Sequence, residues 1–372
     1  MNMKTLLRPR LNWLAVFIPV SFLLAYVPAL KNDSLLFVCA ALAMVVVSAW
    51  IGQATDKLAV VVGPTWGGML NAAFGNLPEL MFGLIALSKG LGPLVKAAWT
   101  GSILGNLFLV LGSSMLIGGL KHGRQIFPVE RANDASTSLL IAVVALSLPT
   151  VYVLSFPKPD EATAFGIDEI SIGLALLLLI PYVASLVQTV LEARQPGPAR
   201  KPGVQVSAEL KHKSSDAIKR GRAKVVLVLA VSSLLIALLA DYVTDSVNAV
   251  KSQFGLTDLF LGVILIAAIG NISAQMSAAF MATKNKMDVA FEIGMSSSTQ
   301  MALFIIPILV LMSHVYGKPV NLEFTIAEVV ALGAGALLTT QIGQDGVSDW
   351  LNGLQMLVAY MMIAVLFFFL PV

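Results

Sequence analysis

Two stretches of the chain set amides, and in one case a carboxylate, inside apolar sequence. The first, AAFGNLPELMFGLIALSKG (Ala72 to Gly90), carries Gly75, Asn76, Pro78 and Glu79. The second, IAAIGNISAQMSAAFMATKNK (Ile266 to Lys286), carries Gly270, Asn271 and Gln275. Pro78 has no N–H to give to the carbonyl of Phe74, and Gly75 adds backbone freedom, so a kinked helix is expected there. The kink would offer a backbone carbonyl, the Asn76 amide and the Glu79 carboxylate together. An all-oxygen set suits a hard cation such as Ca²⁺ and not a soft metal. A carboxylate withdrawn from water can also hold a proton in place of the cation. An ion pair between Glu79 and a neighbouring-helix cation such as Lys96 is the plainer alternative.

Setting Gly75 opposite Gly270, an offset of 195, puts Asn76 opposite Asn271, Lys89 opposite Lys284 and Ser102 opposite Ser297. GSILGN (Gly101 to Asn106) then faces SSSTQM (Ser296 to Met301), and Glu79 faces Ala274. The sequence thus repeats a Gly-Asn break followed by a hydroxyl-and-amide cluster, with the acid in the first copy alone. Candidate cation ligands are Glu79, Asn76, Ser102, Asn106, Asn271, Gln275, Ser297, Gln300 and Glu292. Glu79 and Glu292 are the candidate proton carriers, and Gly75, Pro78 and Gly270 the candidate helix breaks. Glu292 lies about one turn inside its span, where an acid that reaches to the membrane surface is the alternative. Gly101 and Gly105, four apart, also suit close helix packing.

These residues need a membrane around them. Of 372 residues, 57% are hydrophobic and 12% charged, about half the charge of a soluble domain. Apolar runs long enough to span recur along the chain, which indicates helices rather than a β-barrel. Spans are expected near 12–30, 34–51, 59–88, 92–118, 136–155, 166–191, 223–247, 257–282, 288–314, 323–340 and 350–370. The fold class is therefore an all-α polytopic membrane protein of eleven transmembrane helices. Residues 1–33 form an extra N-terminal helix, 34–192 a first five-helix repeat, 193–222 a basic linker and 223–372 a second repeat. Five spans per repeat invert the second copy, and inverted repeats with broken helices at the midplane are a usual construction of secondary transporters. Most Lys and Arg fall on one side, which places the N-terminus and linker in the cytoplasm. The expected location is a prokaryotic inner membrane.

Other chemistry is poorly supported. The three histidines, His122, His212 and His314, are scattered, and Cys39 is alone. No Gly-x-x-x-x-Gly-Lys-Ser/Thr loop or nucleophile–base pair is evident, so neither an ATP-driven pump nor an enzyme is expected. The net charge of +3 reads as loop asymmetry rather than a nucleic-acid footprint. The expected partners are a metal cation, protons and the lipid bilayer, with no cofactor. The sequence leaves the oligomeric state open, homo-oligomer included.

VGPTWGGMLNAAFGNLPELMFGLIALSKG, VKAAWTGSILGNLFLVLG, GGLKHGRQIF and KNKMDVAFEIGMSSSTQMALFIIPILVL resemble the cation/proton exchangers of the Ca²⁺/cation antiporter superfamily. The resemblance implies two inverted five-helix repeats plus an N-terminal helix. It also implies a Gly-Asn-x-x-Glu motif in each repeat, the two glutamates sharing Ca²⁺ and alternately taking protons. Gly75, Asn76 and Glu79 match the first motif, and Ser102 and Asn106 the cluster after it. In the second motif Gly270 and Asn271 match, but Ala274 stands at the glutamate and Gln275 at the histidine that usually follows. Ser297 and Gln300 match the second cluster, while Ser296 replaces a usual glycine. The linker lacks the acidic helix of many relatives.

A site with one carboxylate keeps excess positive charge when it holds Ca²⁺, which is costly in a low-dielectric setting. Three readings stay open: Glu292 restores the second charge, selectivity moves to Na⁺ or K⁺, or activity is weak. A transport-silent relative is the reading from another class.

Overall fold

A computed structural model of the chain describes residues 12–62, 70, 74–156, 161–194 and 215–370. It is built almost wholly of helices: α1 (Phe17–Tyr26), α2 (Asp33–Val62), α3 (Leu77–Ser88), α4 (Gly92–His122), α5 (Val129–Leu154) and α6 (Glu161–Arg194). After the linker come α7 (Ser215–Phe254), α8 (Asp258–Thr283), α9 (Met287–Val315), α10 (Ile326–Asp345) and α11 (Trp350–Phe369). Among the described residues nine helices are long and apolar enough to cross a membrane, and the apolar helices Asn12–Tyr26 and Leu77–Ser88 are shorter. The protein is thus a polytopic all-α membrane protein.

Two expected boundaries are corrected. Spans ending at 51 and starting at 59 were separated by a loop holding Lys57, but α2 continues unbroken to Val62. From Gln53 to Val62 there is no glycine or proline to stop it; Gly63-Pro64 is the first such pair. The expected span 59–88 is not one helix among the described residues, since α3 begins at Leu77 after a turn at Gly75-Asn76.

The chain divides into two compact units that do not follow its sequential halves. One comprises 1–85 with 184–255, the other 86–183 with 256–372. In the first, α2 packs along α7, and α1 lies on α2 with Phe22 edge-on to Tyr242 at 5.6 Å. Alanine, valine and serine side chains on α2 are buried.

In the second unit α4 packs against α8 and α11, and α5 against α10 and α9. A two-residue antiparallel ribbon, β1 (Gln125–Ile126) with β2 (Val347–Ser348), ties the end of α4 to the start of α11. Three of the long helices contain a widened π turn: α4 at Gly105–Val110, α8 at Leu261–Ile266 and α9 at Met301–Ile305. Such turns break the regular i→i−4 ladder and often mark functional positions. Small residues allow the crossing of α4 and α8. A Cβ on Gly101 would sit 2.4 Å from the Val263 Cα, and one on Gly262 would sit 2.5 Å from Ala97. The two backbones therefore touch, the geometry that small-residue pairs permit between membrane helices.

Candidate functional site

In the first unit Gly75 and Asn76 form the turn that opens α3, and Pro78 is the second residue of the helix. Proline costs nothing in a first turn, where its missing N–H has no partner to lose. Among the described residues, Phe74 is helical, Gly75 and Asn76 turn, and α3 begins at Leu77. Leu80 N–H donates to the Asn76 carbonyl at 3.1 Å, closing the first turn. Asn76 is buried, and Glu79 stands in that turn with its Oε2 buried and without a hydrogen-bond partner among the described residues. Lys96, weighed as an ion-pair partner of Glu79, donates to Asn321 Oδ1 at 3.3 Å and to the Glu323 carbonyl.

The second unit holds the amide-and-hydroxyl cluster. Asn271 on α8 clasps Ser102 on α4: its Nδ2 donates to the Ser102 carbonyl at 3.1 Å, and Ser102 Oγ donates to Asn271 Oδ1 at 3.3 Å. Gly105 leaves room for this clasp, since a Cβ there would lie 2.8 Å from Asn271 Nδ2 and push the amide aside. One residue on, Asn106 is 0% exposed, and neither its Oδ1 nor its Nδ2 has a partner among the described residues. An orphaned buried amide is unfavourable by about 1–3 kcal/mol per group, so it calls for an explanation. Gly294 of α9 lies against it, 3.1 Å from the Asn106 carbonyl to a would-be Cβ.

Along α9, Gln300 Nε2 donates to Ser296 Oγ at 3.0 Å, the i, i+4 pairing of one helix face. Ser298 reaches across to α4, its Oγ donating to the Ile103 carbonyl at 3.3 Å. Ser297 is half-buried, as are Glu292 and Gln275. Of the expected residues the structure therefore pairs Ser102 with Asn271, while Gln300 pairs with Ser296, which was not among them. Gly75, Asn76, Pro78 and Glu79 lie together in the first unit.

Gly270 is a second correction. The helix passes through Gly270 and Asn271 without interruption, and the irregular turn comes earlier, at Leu261–Ile266. No proline follows Gly270, so each later residue keeps an N–H for the ladder, and glycine alone does not end a helix whose neighbours hold it. Sequence reasoning also missed Ser298. It stands four residues after Gly294 on the same helix face, a spacing that could have marked it. Glu328 was missed as well. It is buried, accepts from Thr100 Oγ1 at 2.9 Å and caps α10 with Thr325. The Thr-x-x-Glu spacing of a capping box was readable there.

Residues 33–191 and 224–369 match the model of the sodium/calcium exchanger protein family, and the chain belongs to that family. It is 36% identical to a Ca²⁺/H⁺ antiporter of Aphanothece halophytica over 96% of each chain. It is 35% identical to the Ca²⁺/H⁺ antiporter ChaA of Bacillus subtilis over 91% of this chain and 93% of that one. The solved structure of native YfkE superposes with a TM-score of 0.80 at 32% identity, covering 97% of this chain and 100% of that one. An H⁺/Ca²⁺ exchanger, CAX, shares the fold with a TM-score of 0.68 at 15% identity.

Proposed function

We propose that this chain is a secondary active cation/proton antiporter that exchanges Ca²⁺ for H⁺ by alternating access. The observation that carries the reading is Glu79. It is a carboxylate in the first turn of an apolar helix, with a buried oxygen that nothing among the described residues satisfies. Similarity to Ca²⁺/H⁺ antiporters over nearly the whole chain supports the same conclusion. Glu79 takes the proton and contributes to holding the cation, with Asn76 beside it. The cluster of Ser102, Asn106, Asn271, Ser297 and Gln300 supplies neutral oxygens, and Glu292 and Gln275 line the ion's route.

The proposed frame has eleven spans in two inverted repeats, with the N-terminus cytoplasmic. Two internal equivalences at the offset of 195 support it. Ile103 and Ser298 are that far apart and hydrogen-bond each other directly, as exchanged positions near a two-fold axis would. Ser88 and Thr283 end α3 and α8, and each carbonyl receives a lysine ammonium, Lys318 on Ser88 and Lys121 on Thr283.

Ala274, the repeat counterpart of Glu79, favours a second reading in which a monovalent cation, Na⁺ or K⁺, is exchanged for one proton. Proteoliposomes containing a pH dye decide between them, with Ca²⁺, Na⁺ or K⁺ added outside in turn and Glu79→Gln as the blank. Proton release driven by Ca²⁺ is expected. Release by Na⁺ or K⁺ alone would establish the monovalent exchange, and no signal above the blank would overturn antiport at Glu79.

A further inference from the structure

Three lysines gather where no part of the exchange cycle uses them. Within the second unit a cavity of about 520 Å³ is lined by Lys89, Lys96 and Lys318, together with Gly92, Pro93 and Asn321. The lysines come from three separate places: the turn after α3, the first turns of α4 and the loop after α9. None of the lining side chains is acidic. The Lys318 stem lies over Gly90, where a Cβ would be 3.6 Å from its Cδ, and its ammonium donates to the Ser88 carbonyl. Lys96 donates to the Glu323 carbonyl and to Asn321. The Ser88 carbonyl orients the Lys318 ammonium without neutralising it, and an ammonium has three donors, whereas Lys96 also feels the carboxylates of Glu323 and Glu328. Neither of those two acids lines the cavity. Glu328 is buried and accepts from Thr100 and Thr325.

Like charges around one cavity repel, and an anion inside relieves the repulsion. Lysine binds phosphate as a point charge, without the planar geometry that arginine imposes. The cavity also lies at the start of α4, whose first turn, Gly92 and Pro93, carries the positive end of the helix dipole. We propose that this cup binds a phosphate-bearing anion at one membrane face, the outer face on the topology above, with Lys89 and Lys318 as its principal ligands. Two sources share that chemistry: a phospholipid headgroup and free inorganic phosphate. The site does not depend on which cation is exchanged.

The test uses the full chain purified in a neutral detergent. Thermal unfolding is followed while phosphatidylglycerol, phosphatidylcholine or inorganic phosphate is titrated in. The variants are Lys89→Gln with Lys318→Gln, Lys89→Gln alone, Lys318→Arg, and Lys121→Gln as a control for general basic attraction. Phosphatidylglycerol should stabilise the wild type more than phosphatidylcholine does. The double variant should weaken that response by about tenfold or more, while Lys318→Arg and Lys121→Gln retain it. A response to inorganic phosphate that is lost in the double variant assigns the site to free phosphate. A response to phosphatidylglycerol alone assigns it to a headgroup. If the double variant does not fold, Lys89→Gln must still show a weakened response. Equal responses in wild type and lysine variants, or a loss in Lys121→Gln as large as in the double variant, would overturn the site.

Discussion

Replacing Asn106 with leucine tests whether its orphaned amide is kept for the ion. Asn106 is fully buried at the start of the π turn of α4, and both polar atoms of its amide lack a partner among the described residues. Each unsatisfied group is unfavourable by about 1–3 kcal/mol, and leucine keeps the same branched four-atom side chain with no polar atom, its bulkier methyls offsetting part of the gain. Without cation, Asn106→Leu should therefore be the more stable protein by about 1–3 kcal/mol, a rise of a few degrees in Tm. With cation the order should change. A ligand at a hundred times its Kd stabilises the wild type by about 2.7 kcal/mol, and the variant should gain far less. Thermal unfolding of the purified chain with and without Ca²⁺ measures both quantities, and proteoliposome exchange should be lost in the variant. A leucine variant that melts below the wild type without cation, or that keeps the full Ca²⁺-dependent gain, refutes the reasoning.

Other perturbations separate the site from its scaffold. Gly101→Ala places a methyl 2.4 Å from the Val263 backbone where ordinary contact begins near 3.4 Å, so α4 and α8 must part by about 1 Å. That should lower stability by about 1–3 kcal/mol, whereas Gly333→Ala, which meets open space, should not; thermal unfolding compares them. Ala274→Glu restores a carboxylate at the repeat counterpart of Glu79, and should raise Ca²⁺-driven proton release relative to that driven by Na⁺ or K⁺. Unchanged ion preference in proteoliposomes would remove position 274 from selectivity. Thr100→Val deletes the 2.9 Å bond to buried Glu328 and leaves that acceptor short, so a loss of about 1–3 kcal/mol is expected in the unfolding assay.

Much of this protein was legible in one dimension because lipid imposes a simple rule: backbone polar groups must be satisfied within helices, so each span declares itself as an apolar run. The proposed repeat offset comes from the same contrast, since a Gly-Asn pair and a carboxylate stand out in such runs. Helix ends were less so. Lys57 suggested a loop, yet α2 runs past it, because a single lysine near a membrane surface does not break a helix. The composition and spacing around Gly75, Asn76, Pro78 and Glu79 fixed a local break by themselves, since proline and glycine act on their own backbone. Whether Gly270 breaks its helix depended on what surrounds it, and there α8, packed against α4 and α9, continues through it.

The sequence by itself therefore determined the solvent the chain lives in, its helical class and the residue types available for chemistry. Tertiary structure alone decided that Asn271 clasps Ser102 while the Asn106 amide has no partner among the described residues. It also decided that Ser298 reaches α4, and that Lys318 shares a cavity with Lys89 and Lys96, more than two hundred residues earlier. The reason is physical: hydrophobicity and backbone freedom are properties of a segment, whereas satisfying a buried polar group requires a second group brought from elsewhere in the chain.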